Sequence, residues 1–209
     1  MVLGLDALYL NFITGFETDL ATVRALRQAF HGPIYGDLHS LALGRASDGT
    51  RYYRPIDEAL AWLTAFDVAQ VNEDEMGQLG DDPLALAARA LTQGVGAVCV
   101  TLGPRGTVFV AAGDFDSLGW TAASRPARGP GAPLVRTALV PVEDGPVEGD
   151  PTGCGDVFGA ALVAGLVQGV ALEPAIAASN RMARRNVTYR GATGLHRHLR
   201  GTLQGAGAA

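Results

Sequence analysis

Short apolar runs alternate with segments of helical periodicity along most of this chain, and that alternation strongly limits its fold. It predicts strands at residues 5–13, 34–38, 68–71 and 97–100, separated by helices at about 20–30, 56–66 and 83–92. The run at 97–100 is apolar without interruption, as in strands buried on both faces of a parallel sheet. We therefore predict an α/β fold with a mostly parallel central sheet flanked by helices, in a single domain over residues 1–209.

The remaining segments complete this prediction. Residues 107–111 are expected to return as an antiparallel strand, and residues 134–142 as a further strand. Residues 44–54 look like an irregular excursion with a turn at Asp48-Gly49, and the Pro/Gly/Arg-rich stretch at about 124–133 is expected to be a mobile loop. Helices are predicted at 157–167, 173–185 and 195–203, and the first of these is apolar almost all round and therefore expected to be buried.

Composition excludes several classes of protein. Hydrophobic residues make up 48% and charged residues 18% of the 209 residues, which is typical of a globular chain. All 16 basic side chains are arginine, so a Walker A lysine and a Schiff-base lysine are excluded. The net charge of −5 gives no reason to expect nucleic acid or an anionic membrane as a partner. The first residues lack the basic flank and apolar core of a secretion signal, so we expect a soluble cytoplasmic protein.

Polar residues fall at the carboxyl ends of four of the predicted strands. They are Asp37, Asn72 with Glu75, Thr101 with Gly103, and the segment from Asp150 to Asp156. Ligands of open α/β sheets bind beyond the carboxyl ends of the strands. Four such groups on one edge predict a ligand site there.

The strongest signal is the segment Asp-Pro-Thr-Gly-Cys-Gly-Asp at 150–156, which leads directly into a predicted helix. Gly153 and Gly155 allow backbone N–H groups to approach an anion, and the helix start adds the positive end of its dipole. This geometry suits a phosphoryl group in transfer, with Asp156 placed to accept a proton from an attacking hydroxyl. The alternative is a glycine-rich loop in which Asp156 merely favours the helix N-terminus.

The same segment closely resembles the D-T-x-G-A-G-D signature of the PfkB/ribokinase family of sugar and nucleoside kinases, with Pro151 and Cys154 as the two departures. The resemblance implies a ribokinase-like, Rossmann-like sandwich that transfers the γ-phosphoryl group of ATP to a hydroxyl of a sugar, nucleoside or related metabolite, with Mg²⁺ as cofactor. In that scheme Asp156 accepts the proton, and backbone amides of Gly153, Cys154 and Gly155 stabilise the phosphoryl charge. Asp150 and Thr152 are then expected to serve nucleotide binding.

Three further matches occur in the family's order. Asn72 and Glu75 resemble the N-x-x-E motif that holds Mg²⁺ and phosphate, largely through water. Thr101, Gly103 and Gly106 resemble the T-x-G-x-x-G turn beneath the nucleotide, and Asn180 lies where relatives place an asparagine near the adenine. Each has a simpler reading. The first pair would open a helix with acids in its first turn, the second set would form a hairpin turn, and the asparagine would be solvated.

Substrate recognition is the least defined part. Asp37 is a candidate to accept a substrate hydroxyl or, alternatively, to cap a loop. The resemblance begins partway through the family pattern, after the Gly-Gly substrate motif and the small β lid. The expected partner is a small-molecule alcohol, and a homodimer is the candidate assembly. The alternatives are a non-catalytic nucleotide- or metabolite-binding relative and an inactive fragment.

Overall fold

A computed structural model of the chain describes residues 4–119, 134–143, 145, 147–191 and 193–200. Its strands are β1 (Leu8–Asn11), β2 (Ile34–Asp37), β3 (Leu43–Arg45), β4 (Arg51–Tyr53), β5 (Val68–Asn72), β6 (Ala97–Thr101), β7 (Thr107–Ala112) and β8 (Val135–Val140). Its helices are α1 (Leu20–Ala29), α2 (Ala59–Thr64), α3 (Glu73–Met76), α4 (Pro83–Thr92), α5 (Cys154–Val167), α6 (Leu172–Val187) and α7 (Leu195–Leu199).

Within the described residues the main sheet has six strands in the order β1-β2-β5-β6-β7-β8. The first four are parallel, and β7 and β8 are each antiparallel to their preceding neighbour. The register sets Asn11 beside Asp37, Asp37 beside Gln70, and Asn72 beside Thr101. This mostly parallel sheet confirms the predicted α/β class, and it brings the carboxyl ends of four strands to one edge.

The helices cover the sheet in packed pairs. Helix α2 packs against α4, which contacts β7, whereas α5 packs against α6 and contacts β1 and β2. Strand β2 is buried along its length, and β5 and β6 are buried except for their last residues. Burial on both faces explains why the sequence of these strands is apolar rather than alternating.

The segment predicted as an irregular excursion contains regular structure, so that prediction is wrong. Strands β3 and β4 form an antiparallel hairpin in which Leu43 lies opposite Tyr53. The predicted turn does join them, with Gly49 at φ +90°. Each strand has three residues, which is too short for an alternating pattern to be visible in the sequence.

Helix α5 is less buried than its composition suggests. Its buried residues are Phe158, Gly159, Leu162 and Leu166, whereas Ala160 and Ala164 are exposed. The helix lies over β1, which within the described residues pairs on one side only and is half-exposed throughout. The prediction of a helix buried almost all round is therefore wrong, because the sheet beneath it ends there.

Two predictions fall wholly or partly outside the described part of the chain. The predicted loop at 124–133 lies outside the described residues, as do the last residues of the helix predicted at 195–203. Among the helices that are described, none combines the length and the apolar character needed to cross a membrane.

Candidate active site

The loop before α5 has an unusual backbone at Gly153. This residue precedes the helix at φ +78° and ψ 3°, a left-handed conformation that only glycine adopts without strain. The N–H of Cys154 donates to the carbonyl of Pro151 (3.1 Å), whereas the structure shows no acceptor within its described residues for the N–H groups of Gly153 and Gly155. The donors open to an anion therefore include the two glycine amides, whereas the Cys154 amide is already used.

Asp156 lies in the first turn of α5 and is exposed. Its Oδ1 accepts a hydrogen bond from Asn11 Nδ2 (2.5 Å), which connects the helix start to the end of β1. Among the described residues its Oδ2 has no hydrogen-bond partner. Asp156 therefore combines a fixed orientation with one oxygen that is free to receive a proton.

Asp37 is buried at the end of β2, with 4% of its surface exposed. Its Oδ2 accepts from Gln70 Nε2 (3.0 Å), and its Oδ1 accepts from the His39 backbone N–H (3.3 Å). The pKa of Asp37 is raised to about 7, with burial as the largest cause. The carboxylates of Glu75 and Asp156 also raise this pKa, whereas the hydrogen bond from the His39 N–H and the charge of His39 lower it. The residue was predicted either to bind a substrate hydroxyl or to cap a loop, and its bond to the His39 N–H is of the second kind.

Asn72 and Glu75 form hydrogen bonds with each other at the end of β5. Asn72 Oδ1 accepts from the Glu75 N–H (2.8 Å), and Glu75 Oε2 accepts from the Asn72 N–H (2.7 Å), which together form a capping box for α3. Glu75 Oε1 accepts from Asn72 Nδ2 (2.7 Å) and from His39 Nδ1 (2.5 Å). The bond to Glu75 is the largest cause that raises the pKa of His39, while burial opposes it. The pair thus opens a helix, which is the simpler of its two readings.

A cavity of about 520 Å³ lies between the β6–β7 turn, the start of α5 and the face of α6. Six predicted residues line it: Thr101, Gly103, Gly106, Cys154, Gly155 and Asn180. Apolar side chains supply much of the remaining wall, including Val142, Val147, Phe158 and Val187. An apolar slot that reaches the open amide of Gly155 can hold a flat ring with an anionic tail.

Asn180 has both of its polar atoms engaged within the protein. It is 4% exposed, its Oδ1 accepts from Thr107 Oγ1 (2.8 Å), and its Nδ2 donates to the Val140 carbonyl (2.9 Å). It therefore fastens α6 to β7 and β8. Its side chain shapes the cavity wall, while its hydrogen bonds serve the fold.

Asp150 and Thr152 lie beside the cavity and brace its loop. Asp150 Oδ1 accepts from the Thr152 N–H (2.9 Å), and Asp150 Oδ2 accepts from the Gly191 N–H (3.2 Å). The Thr152 carbonyl accepts from Asn186 Nδ2 (3.1 Å). These bonds hold the loop against the end of α6 and give both residues a structural role.

Sequence reasoning missed two residues of the site, Asn11 and Gln70. Asn11 ends β1, but the strand was predicted to extend to residue 13, so its position at a strand end was hidden. Gln70 lies inside the apolar strand β5 and is 3% exposed. A polar residue within a buried strand requires hydrogen-bond partners, and that was the available signal.

Known proteins share the sequence pattern and the fold of this chain. The family model described as pfkB family carbohydrate kinase matches residues 50–197. The ribokinase of Thermotoga maritima superposes with a TM-score of 0.62 at 21% identity, covering 93% of this chain and 54% of that chain. Aminoimidazole riboside kinase of Salmonella enterica, solved with aminoimidazole riboside and an ATP analogue, gives 0.57 at 18%, covering 90% and 59%.

A pyrophosphate-dependent kinase of the ribokinase family, solved with a pyrophosphate analogue and myo-inositol, gives a TM-score of 0.61 at 16% identity, covering 90% of this chain and 60% of that chain. These likenesses show a shared fold. The chain spans between 54% and 60% of the length of the three solved structures. No curated protein sequence matches the chain.

Proposed function

Because this chain belongs to the pfkB family of carbohydrate kinases, we propose that it transfers the γ-phosphoryl group of ATP to a hydroxyl of a sugar, a nucleoside or a related small alcohol. Asp156 accepts the proton of the attacking hydroxyl. The open amides of Gly153 and Gly155, at the positive end of the α5 dipole, stabilise the charge on the transferring group.

The observation that carries the proposal is the exposed carboxylate of Asp156 in the same helical turn as open backbone amides. Phosphoryl transfer needs an in-line arrangement of nucleophile and leaving group, and its catalysis is mostly positioning and electrostatic stabilisation. A fixed proton acceptor positions the nucleophile, and the anion-binding turn beside it stabilises the charge on the transferring group. Pure binding of an anion would need the amides but no carboxylate next to them.

The cavity favours ATP over pyrophosphate as the donor. Its volume of about 520 Å³ and its apolar wall suit a purine ring, whereas bare pyrophosphate offers nothing apolar to bury there. Donor preference is therefore a direct test. We expect turnover with ATP and no turnover with pyrophosphate at the same concentration.

Magnesium is expected from the family, held by Asn72 and Glu75 largely through water, and these two residues do not fit it as direct ligands. Glu75 is 1% exposed, and the polar atoms of both side chains are bonded to each other or to His39. Within the described residues no cluster of three or more histidine, cysteine or acidic side chains is arranged for a metal ion.

The experiment is Asp156→Asn, compared with wild type in an ATP-consumption assay over a panel of sugars and nucleosides. Loss of a general base typically costs about 10²–10⁴-fold in rate, so we expect a drop of that order in kcat. The calorimetric Kd for ATP should change little, because the amides that contact the nucleotide remain.

The matched control is Asp81→Asn, which removes an exposed carboxylate in the loop between α3 and α4. It should leave kcat unchanged. Equal turnover in Asp156→Asn would remove the proposed base. ATP binding without turnover of any alcohol by the wild type would instead indicate a non-catalytic nucleotide-binding relative.

A further inference from the structure

Gln70 is a buried side-chain amide that connects two strands of the sheet to α5. Its Nε2 donates to Asp37 Oδ2 (3.0 Å) and to the Gly155 carbonyl (3.1 Å), and its Oε1 accepts from Tyr35 Oη (2.7 Å). Two acceptors face the nitrogen and one hydroxyl faces the oxygen, so the partners themselves fix the orientation of the amide. Both of its donors are used in this way.

Helix α5 lies directly on this side chain. Gly155 and Gly159 are one turn apart on the helix face that meets the sheet, and a Cβ on Gly159 would lie 2.7 Å from Gln70 Oε1 and 2.5 Å from Tyr9 Oη. The close approach exists because Gly159 has no side chain. Gln70 therefore sets both the height of the helix above the sheet and, through its bond to Gly155, the position of the helix along it.

The first turn of α5 carries the groups assigned to catalysis. Within the described part of the chain, two side-chain hydrogen bonds connect this turn to strands: Asn11 to Asp156, and Gln70 to the Gly155 carbonyl. The first holds the carboxylate, and the second holds the backbone that carries both the carboxylate and an open amide. A shift of about 1 Å in such a turn can cost about 10²-fold in rate.

We infer that Gln70 is a positioning residue for phosphoryl transfer. Its amide locks Gly155, and with it Asp156 and the open glycine amides, against Asp37 at the end of β2. The inference rests on the proposed function for its consequence in kcat. The bond between Gln70 and the α5 turn can be tested without any catalytic activity.

Two substitutions separate the features of the side chain. Gln70→Glu keeps the shape and the acceptor for Tyr35 but replaces the two N–H donors with an oxygen that faces Asp37 and the Gly155 carbonyl. Gln70→Met keeps the length and removes all three hydrogen bonds. The matched control is Gln168→Glu, the same chemical change at an exposed glutamine at the other end of α5.

Activity is the first readout. We expect kcat to fall by about 10²-fold in Gln70→Glu and Gln70→Met, with the KM for ATP within about threefold of wild type, because positioning acts on the transition state. In Gln70→Glu, kcat relative to wild type should recover as the pH is lowered from about 8 to about 5.5, because a protonated carboxyl donates one hydrogen bond. Protonation would also relieve a loss of stability, so kcat is compared only at pH values where the melting temperature shows that the variant is folded.

The labelling rate of Cys154 by a thiol reagent is the second readout, and it needs no substrate. Cys154 is half-buried at the start of α5, whereas Cys99 is fully buried in the core, so labelling of the folded protein reports on the α5 turn. Both Gln70 variants should label several-fold faster than wild type and Gln168→Glu. Cys154→Ser provides the blank.

The outcomes are distinct. If both Gln70 variants keep the wild-type kcat and labelling rate, the inference is overturned even if their melting temperatures fall. If kcat falls but labelling does not change, positioning through α5 is likewise rejected. If the wild type phosphorylates no alcohol, the proposed function fails, and the labelling rates alone decide whether Gln70 holds the turn. If neither variant folds, Tyr35→Phe carries the same two readouts, since it removes only the hydroxyl that orients the amide.

Discussion

Replacing Gly159 with alanine should disturb the contact between α5 and the sheet. The added Cβ would lie 2.5 Å from Tyr9 Oη, 2.7 Å from Gln70 Oε1 and 3.0 Å from Tyr9 Cζ. Gln70 is held by three hydrogen bonds, and the Tyr9 ring packs edge-on against Tyr35 with centroids 5.2 Å apart. Neither neighbour can move away without losing contacts of its own.

Two opposing contributions determine the change in unfolding free energy caused by Gly159→Ala. Glycine to alanine inside a helix gains about 0.5–1 kcal/mol from backbone entropy and propensity. Overpacking a filled interior costs about 1–3 kcal/mol. Gly165→Ala supplies the control in the same helix, because its Cβ would meet Ala175 Cβ at 3.4 Å, an ordinary contact. We expect Gly165→Ala to be more stable than wild type. The unfolding free energy of Gly159→Ala should be about 1–3 kcal/mol below that of Gly165→Ala.

Urea unfolding measures this difference, provided that both variants show the same m-value and a single transition. The reasoning is refuted if Gly159→Ala unfolds at the same urea concentration as Gly165→Ala. That result would mean that α5 has room above Gln70, and the positioning inferred for that residue would lose its steric basis.

Two further predictions concern buried charges. The pKa of Asp37 is raised to about 7 by burial, so the folded state binds a proton more tightly than the unfolded state, and the unfolding free energy should fall as pH rises from about 4 to about 7. His39 acts in the same direction, because its raised pKa gives stability that is lost as pH rises through that pKa. Asp37→Asn should therefore reduce, but not abolish, the fall in unfolding free energy that urea titration measures between about pH 5 and pH 8. Arg27→Met should cost about 3–5 kcal/mol by the same assay, since it removes the cation 2.7 Å from the buried Asp67 carboxylate. A loss below about 1 kcal/mol would show that the ion pair contributes little.

The sheet could be predicted because burial on both faces gives its central strands a continuous apolar sequence. The ends of β2, β5 and β6, at Asp37, Asn72 and Thr101, lie within one residue of the predicted strand ends. The same logic indicated a helix after the segment 150–156, but the predicted start at residue 157 lies three residues after the observed start at Cys154. Local composition was sufficient at these positions because strand ends and helix starts are local features.

What could not be predicted depends on contacts between distant segments. Gln70 belongs to the site only because β2 and α5 bring Asp37 and Gly155 to it from positions 33 and 85 residues away. The exposure of Ala160 and Ala164 depends on the end of the sheet at β1 rather than on the helix itself. Asn180 lines the cavity in which a nucleotide was predicted, but its hydrogen bonds go to Thr107 and Val140, which no sequence pattern connects to it.

The surroundings of the carboxylates explain why one of them suits the role of base. Three acids at this edge of the sheet differ in their surroundings. Asp37 and Glu75 are buried and accept bonds through both oxygens, whereas Asp156 is exposed and accepts through one. The bond that Asp156 accepts comes from a neutral amide, which orients the carboxylate without placing a full positive charge beside it. A proton acceptor must reach its substrate and keep an oxygen free for the proton. Asp156 meets both conditions, whereas the bonds of the two buried acids are used to hold the turn and the strand ends in place.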